Sequence, residues 1–289
     1  MLQDRENQLD WVNIVFLFAA HLVAVYGVYY AAFVHFSWPT MILSAIWLGC
    51  CSLSITGGYH RLFSHPTYKC VSPLRLFYLL FGGASGQNSA LKWSSDHRWH
   101  HANTDEESDP YNIQKGFWWA HMGWVLRKGP PEDFSNSKDL MADPLILFQH
   151  RFYLPLAIVV GAVIPAALGA LWGDMWGGLL LAGFLRIVIQ YQTTFAINSV
   201  AHTIGTQPYD KRDSSRDSFV TALVTWGEGY HNFHHTFPSD YRNGIKFYHF
   251  DPTKWWVWLM SWVGVTRDLK RIPKNIIEKA KQRALISQG

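Results

Sequence analysis

The chain has 289 residues, a formal charge of +4 and 16% aromatic residues. No basic stripe or base-stacking motif accompanies the small positive charge, so nucleic acid is not an expected partner. Only 16% of the residues are charged, and the informative feature is where charge is absent.

Residues 1–10 are polar and include acids. They lack the basic start of a secretory signal, and no small-residue cleavage site closes the apolar run that follows. That run, WVNIVFLFAAHLVAVYGVYYAAF at 11–33, contains no Lys, Arg, Asp or Glu, and neither does WPTMILSAIWLGCCSLSIT at 38–56. Residues 152–172 form a third uncharged run; 176–200 form a fourth, interrupted by Arg186, Gln190, Gln192 and Asn198. A bilayer core takes about 20 helical residues to cross, and each run is near that length. Four transmembrane helices are therefore expected rather than the buried helices of a large soluble protein.

The connections 34–37 and 173–175 contain no Lys or Arg; all basic residues except Arg5 and Arg186 lie in 57–151 or beyond 200. The positive-inside rule then predicts two helical hairpins with both termini and both long polar segments cytoplasmic. The expected architecture is an all-α integral membrane protein forming one domain over 1–289. Its spans carry a cytoplasmic helical cap built from 57–151 and 201–289. LFYLLFGGASG at 76–86 and WWVWLMSWV at 255–263 are too short to span and read as re-entrant or interfacial helices pressing the cap onto the bilayer. Cys50 and Cys51 are adjacent and Cys70 stands alone, so neither a disulfide framework nor a thiolate metal site is expected.

The histidines carry the chemistry. DHRWHH at 96–101 and GYHNFHH at 229–235 each place histidines at i, i+3 and i+4, which on a helix converge on one point. His97, His100 and His101 do so once, and His231, His234 and His235 do so again. HRLFSH supplies His60 and His65 at the cytoplasmic end of the second run; their spacing of five fits a helix that unwinds after His60. INSVAH ends the fourth run with Asn198 and His202 at i and i+4. Imidazole suits iron, zinc and copper. Nine such ligands exceed the four of a structural zinc site and fit two ions with open positions.

With these motifs the chain resembles the membrane fatty acid desaturases, most nearly the acyl-CoA Δ9 (stearoyl-CoA) desaturases. HRLFSH, HRWHH and HNFHH match the three histidine boxes, and HLVAVYG, GQN, SDPYN, NSVAH, PYDKR and GEGYHNFHH match further stretches between residues 11 and 242. The resemblance implies two iron ions held by His60, His65, His97, His100, His101, His202, His231, His234 and His235, with Asn198 reaching a metal through water. It implies that O2 and two electrons are used to remove two hydrogens from a saturated acyl chain of about sixteen to eighteen carbons. A cis double bond remains, and the oxygen leaves as water. Neutral ligands leave such a centre strongly electrophilic, and an apolar tunnel must exclude water from it.

The resemblance also assigns Arg127 and Lys128 to the phosphates of acyl-CoA, although two adjacent bases beside a membrane also suit anionic headgroups. It places Asn13, Gln87, Asn88, Trp93 and Thr194 around the pantetheine and acyl path. Where the family's acyl-CoA members carry Arg-Asp before the second box, this chain has Ser95-Asp96, which leaves an acyl-lipid or acyl-carrier substrate open.

Asp96 and Glu228 are candidates to orient a histidine through its outer nitrogen; Asp105 and Asp109 read as helix or turn caps. His21, His35, His121, His150 and His249 are expected to pack or face solvent. Thr56, Ser52 and Leu48 share the His60 face of the second span. Ser52 and Leu48, about 12 and 18 Å along the helix from His60, would close the acyl tunnel.

The competing readings are a hydroxylase on the same scaffold and, outside enzymes, a membrane haem or metal carrier. Haem would use two histidines and leave seven unexplained. No haem-domain motif follows His235, so a separate ferredoxin or cytochrome b5-like electron donor is expected. The lack of an organelle-addressing segment favours a bacterial inner membrane over the endoplasmic reticulum.

Overall fold

A computed structural model describes residues 8–129 and 131–286 of the chain. Among these residues, four helices have the length and composition of a membrane span: α1 (Trp11–Val34), α2 (Trp38–Ser64), α6 (Tyr153–Ala170) and α7 (Met175–His202). Between them lie α3 (Ser72–Ala84), α4 (Ala90–Ala102) and α5 (Pro144–Arg151); after them come α8 (Phe219–Val224), α9 (His231–Thr236), α10 (Pro252–Trp262) and α11 (Lys274–Ile286). The fold is helical as expected. Its extended structure includes one antiparallel pair of two-residue strands, β1 (Lys69–Cys70) and β2 (Thr266–Arg267).

The expected spans end close to the observed ones with one instructive difference. α2 does not stop near residue 56. It continues through His60 as a π-helical stretch over Ser54–Ser64. Each of the other spans also contains a π segment: Tyr30–Val34, Val159–Val163 and Gly178–Leu185.

The chain divides into two compact units, each assembled from separated stretches. The first comprises residues 1–59, 76–94 and 125–192, and therefore most of the four spans. Its α1 packs on the π stretch of α7, where a Cβ on Gly27 would lie 3.2 Å from the Leu180 carbonyl oxygen. Trp47 of α2 donates its indole N–H to the Val160 carbonyl at 2.9 Å and meets Phe81 edge-on.

Two charged residues of this unit are buried and fully engaged. Arg186 donates to the carbonyls of Ala182, Ala84 and Gly161 at 3.1, 2.7 and 3.0 Å. Ala84 ends α3, so the guanidinium meets the negative end of a helix dipole. Asp174, which caps the start of α7, accepts the hydroxyls of Tyr30 and Thr40. The Trp172 indole completes the cluster by donating to Thr40 at 2.9 Å. Both hairpin connections are thereby tied together through side chains of their own ends.

The segment 76–86, expected to be re-entrant or interfacial, packs α3 tightly against α2. A Cβ on Gly58 would fall 2.5 Å from Tyr78 Cβ, and one on Gly82 would meet the Tyr59 ring. These glycines are set by close approach.

The second unit comprises residues 60–75, 95–124 and 193–289. One of its cores joins Tyr209, Phe233 and Ile277, bringing α11 under α9. All nine box histidines belong to this unit.

Candidate metal centre

Three kinds of backbone deliver the histidines. α4 carries His97, His100 and His101 on one surface, and α9 does the same for His231, His234 and His235. α2 delivers His60 and His65 by a different route. A spacing of five is off-face in an α-helix, but the π stretch closes an i to i+5 hydrogen bond, from His65 N to His60 O at 3.1 Å. Their rings then lie 5.1 Å apart. α7 ends in a tightened 3₁₀ turn, Val200–His202, that presents His202.

The nine side chains form two groups, each with its potential ligand atoms within 4.8 Å of one another. His60, His65, His97, His101 and His234 form the first; His100, His202, His231 and His235 form the second. In the first group the Nε2 atoms converge: His60 to His234 at 2.9 Å, His65 to His97 at 2.8 Å and His234 to His101 at 2.9 Å. In the second, His231 and His235 bring Nε2 within 3.1 Å of each other.

The outward nitrogens define which tautomers are present. His60 Nδ1 lies 2.9 Å from Glu228 Oε2, and His100 Nδ1 lies 2.9 Å from Asp109 Oδ1. A carboxylate accepts, so both rings carry a proton on Nδ1. His202 Nδ1 lies 2.8 Å from Ser214 Oγ. Ser214 spends its own proton on Asp105 Oδ1 at 2.6 Å, so it accepts from His202. The bare His202 Nε2 is buried with no hydrogen-bond partner. His235 Nδ1 faces Thr104 at 3.5 Å and Asp213 at 3.6 Å.

A buried ionic cluster holds Glu228 in place. Arg61 donates to Glu228 Oε1 at 2.8 Å, to Asp251 Oδ2 at 3.1 Å and to the Tyr241 carbonyl at 2.9 Å. Asn243 adds a bond to Glu228 Oε2. Burial alone would push the Glu228 carboxyl up; the Arg61 charge and the His60 hydrogen bond hold it at about 2. Burial, followed by mutual repulsion among the rings, pushes His65, His97, His101, His234 and His235 well below the usual imidazole range, and His231 to about 3. These six rings are therefore held in the neutral form, which a metal ligand requires. Such a set fits divalent transition metals better than it fits hydrogen bonding among histidines.

Several sequence expectations meet a different geometry. Asp109 is not only a cap. It accepts from the backbone of Asp105 and Tyr111 and also from His100. Asp105 acts on His202 through Ser214, and neither Ser214 nor Asp213 was signalled by spacing. Asp96 is half-buried on α4. Asn198 lies one turn before His202, half-buried, and its side chain forms no hydrogen bond among the described residues. His21, His121 and His150 have ordinary packing partners in Gln192, Ser199 and Ser89.

Of the candidate substrate residues, Thr194 belongs to the second unit and the others to the first. There segment 125–128, the end of a 3₁₀ turn followed by an isolated bridge from Arg127 to Leu9, lies along the start of α1. Asn13 Nδ2 donates to the Val125 carbonyl at 3.0 Å, Asp10 N to Leu126 O at 2.9 Å and Lys128 N to Gln8 O at 3.0 Å. Arg127 and Lys128 are thus fixed beside the first span. Trp93 donates to Gln87 at 3.3 Å; Asn88, at φ 74°, donates its backbone N–H to Tyr153. Ser52 is buried with its hydroxyl unpaired, and Leu48 is half-buried.

Residues 36–261 match the family model described as fatty acid desaturase. Acyl-CoA desaturase 1 of Saccharomyces cerevisiae is 45% identical over 96% of this chain and 55% of its own length. Stearoyl-CoA desaturase 5 of Bos taurus is 37% identical over 96% of this chain and 85% of its own. The Delta(9)-fatty-acid desaturase fat-7 of Caenorhabditis elegans is 35% identical over 94% of this chain and 82% of its own. The chain spans about half the length of the yeast relative. These relatives are all eukaryotic and give no support to the expectation of a bacterial inner membrane.

Proposed function

The chain belongs to the fatty acid desaturase family, and we propose that it is an O2-dependent acyl-CoA desaturase. Its product would be a cis double bond, at Δ9, in a saturated chain of about sixteen to eighteen carbons. The observation that carries this reading is the pair of histidine groups, five and four, with the outer nitrogens of His60 and His100 held by Glu228 and Asp109. Two iron ions held by these imidazoles would supply the reduction of dioxygen that breaks an unactivated C–H bond.

The chain's own residues do the rest. Glu228 and Asp109 fix the orientation of His60 and His100 and raise their basicity as ligands. Ser214 and Asp105 do the same for His202. Asn198, one turn from His202, is assigned a contact through water. Burial of the histidines keeps bulk water from a strong oxidant.

Arg127 and Lys128, fixed at the start of α1, are assigned to the CoA phosphates. Asn13, Gln87, Asn88, Trp93 and Thr194 are assigned to the pantetheine and acyl path. Electrons would come from a ferredoxin or cytochrome b5-like donor. Both long polar segments are placed on the cytoplasmic side by the absence of Lys and Arg from 34–37 and 173–175.

The test is iron content. Purified wild-type protein should hold about two irons per chain, and His97→Ala and His234→Ala should lose metal and desaturation while still inserting. Full occupancy and activity in either variant would overturn the reading.

A further inference from the structure

The second unit contains a cavity of about 230 Å³, lined in part by Tyr241, Arg242, Lys254, Trp255, Trp258 and Arg271. None of these residues is among the box histidines or the acids that hold them. Three are cations, and the cavity is prepared for a negative guest. The Arg242 and Arg271 guanidiniums lie 5.8 and 5.3 Å from the centre of the Tyr241 ring. Arg242 is held by Asp240, to which its Nε and Nη2 donate at 2.9 and 2.8 Å. Arg271 donates once, from Nη2 to the Tyr241 hydroxyl at 3.1 Å. Arg242 Nη1 and Arg271 Nε and Nη1 form no hydrogen bond among the described residues. Two adjacent guanidiniums with donors to spare suit a phosphate oxygen set.

Lys254 adds charge without flexibility. Its ammonium is buried and donates to the carbonyls of Gly244, Lys246 and His249 at 2.7, 2.8 and 3.0 Å. That clamp also orders the 244–249 loop that walls the cavity. Among the described residues, Asp240 is the acid that bonds a side chain of this cation set; Asp251 accepts the Lys254 backbone N–H and pairs with Arg61. The lining therefore stays net positive.

The surroundings identify the class of guest. Phe247, on the cavity wall, is 76% exposed, and Trp262 and Val263 at the end of α10 are 66% and 72% exposed. Aromatic rings standing out beside cations are the signature of the membrane–water boundary, and the chain has four helices of membrane-spanning length. We propose that this cavity binds the phosphate of an anionic membrane phospholipid, with Arg242 and Arg271 on the headgroup and the α10 aromatics against its glycerol and acyl region.

The test uses the full-length protein in a neutral detergent, titrated with short-chain phosphatidic acid and followed by thermal melting and native mass spectrometry. Short-chain phosphatidylcholine and inorganic phosphate are titrated in parallel. Phosphatidic acid is expected to bind and raise Tm, and phosphatidylcholine to do neither. Arg271→Gln and the Arg242→Gln/Arg271→Gln pair should each raise the half-saturating concentration at least about tenfold, the scale of a charge-assisted pair. Arg271 is exposed, so the single variant should keep its lipid-free Tm. Equal response to phosphatidylcholine, or unaltered phosphatidic acid binding in both variants, would overturn the proposal. So would inorganic phosphate matching the lipid, which would mark a free-phosphate site.

Discussion

Asp109 Oδ1 accepts the Nδ1 proton of His100 at 2.9 Å while both side chains are almost fully buried. Asp109 lies nine residues beyond His100, and its carboxylate also gathers the backbone N–H groups of Asp105 and Tyr111. One acid thus folds the loop after α4 and sets the tautomer of a candidate ligand.

Asp109→Asn keeps the shape but offers one acceptor oxygen in place of two, and it removes the anionic acceptor. Metal affinity should fall by about 10- to 100-fold. Competition with a graded series of iron chelators checks this, with melting of the metal-free protein as the control for a folding defect. Unchanged metal affinity would make the contact purely structural.

A second prediction concerns the acyl carrier. Arg127 and Lys128 are held beside α1 by backbone bonds, so charge reversal should leave the fold intact. Arg127→Glu with Lys128→Glu should raise KM for acyl-CoA and change kcat less, because distant phosphate contacts contribute mainly uniform binding. If lipid-linked chains react and acyl-CoA does not, Ser95 in place of the family's arginine is the better guide to substrate.

We propose that α2 sets the acyl chain length. Ser52 and Leu48 precede His60 by roughly 12 and 18 Å along the helix, about the reach of a nine-carbon tail. Ser52 is buried, and its hydroxyl has no partner to lose. Ser52→Trp should shift preference toward shorter chains, and Leu48→Ala should relax the limit. Gas chromatography of the products reads both; unaltered profiles from folded variants would put the end of the acyl path elsewhere.

Asp217 gives a prediction in pH. Burial pushes its carboxyl up to about 7, against the lowering pull of the Phe233 backbone N–H. The folded state therefore holds this proton more tightly than the unfolded chain, whose carboxyl has its ordinary value of 3.8. Stability from this group is full below the unfolded value and is lost as pH rises toward 7. Asp217→Asn cannot ionise and keeps an acceptor for Phe233. Its Tm relative to wild type should rise between pH 4 and pH 8; a flat difference would show that Asp217 ionises freely in the folded protein.

The spans and two of the three histidine boxes were legible because they rest on local periodicity. Twenty apolar residues, or histidines at i, i+3 and i+4, mean the same thing wherever they occur. His60 and His65 were legible as a pair but not in their geometry. A spacing of five suggested an unwound helix end, whereas α2 keeps both on one face by widening into a π-helix. The partners of the outer nitrogens were mostly hidden. Glu228 stood close enough to its box to be singled out, but Ser214 and Asp213 reach His202 and His235 from an irregular loop with no periodicity to read. The Asp174 cluster was missed for the same reason: the segment 173–175 was read for the bases it lacks, not for the acceptor it contains.

The central claim is the chemistry, and its most direct measurement is the position of a new double bond. The chain should be expressed in a host lacking its own Δ9 desaturase and supplied with saturated fatty acids, beside His97→Ala at matched membrane abundance. The account predicts cis-Δ9 monounsaturated chains of about sixteen and eighteen carbons, located by mass spectrometry, from the wild type and none from the variant. Hydroxylated chains in place of alkenes, or the same alkenes from His97→Ala, would contradict it.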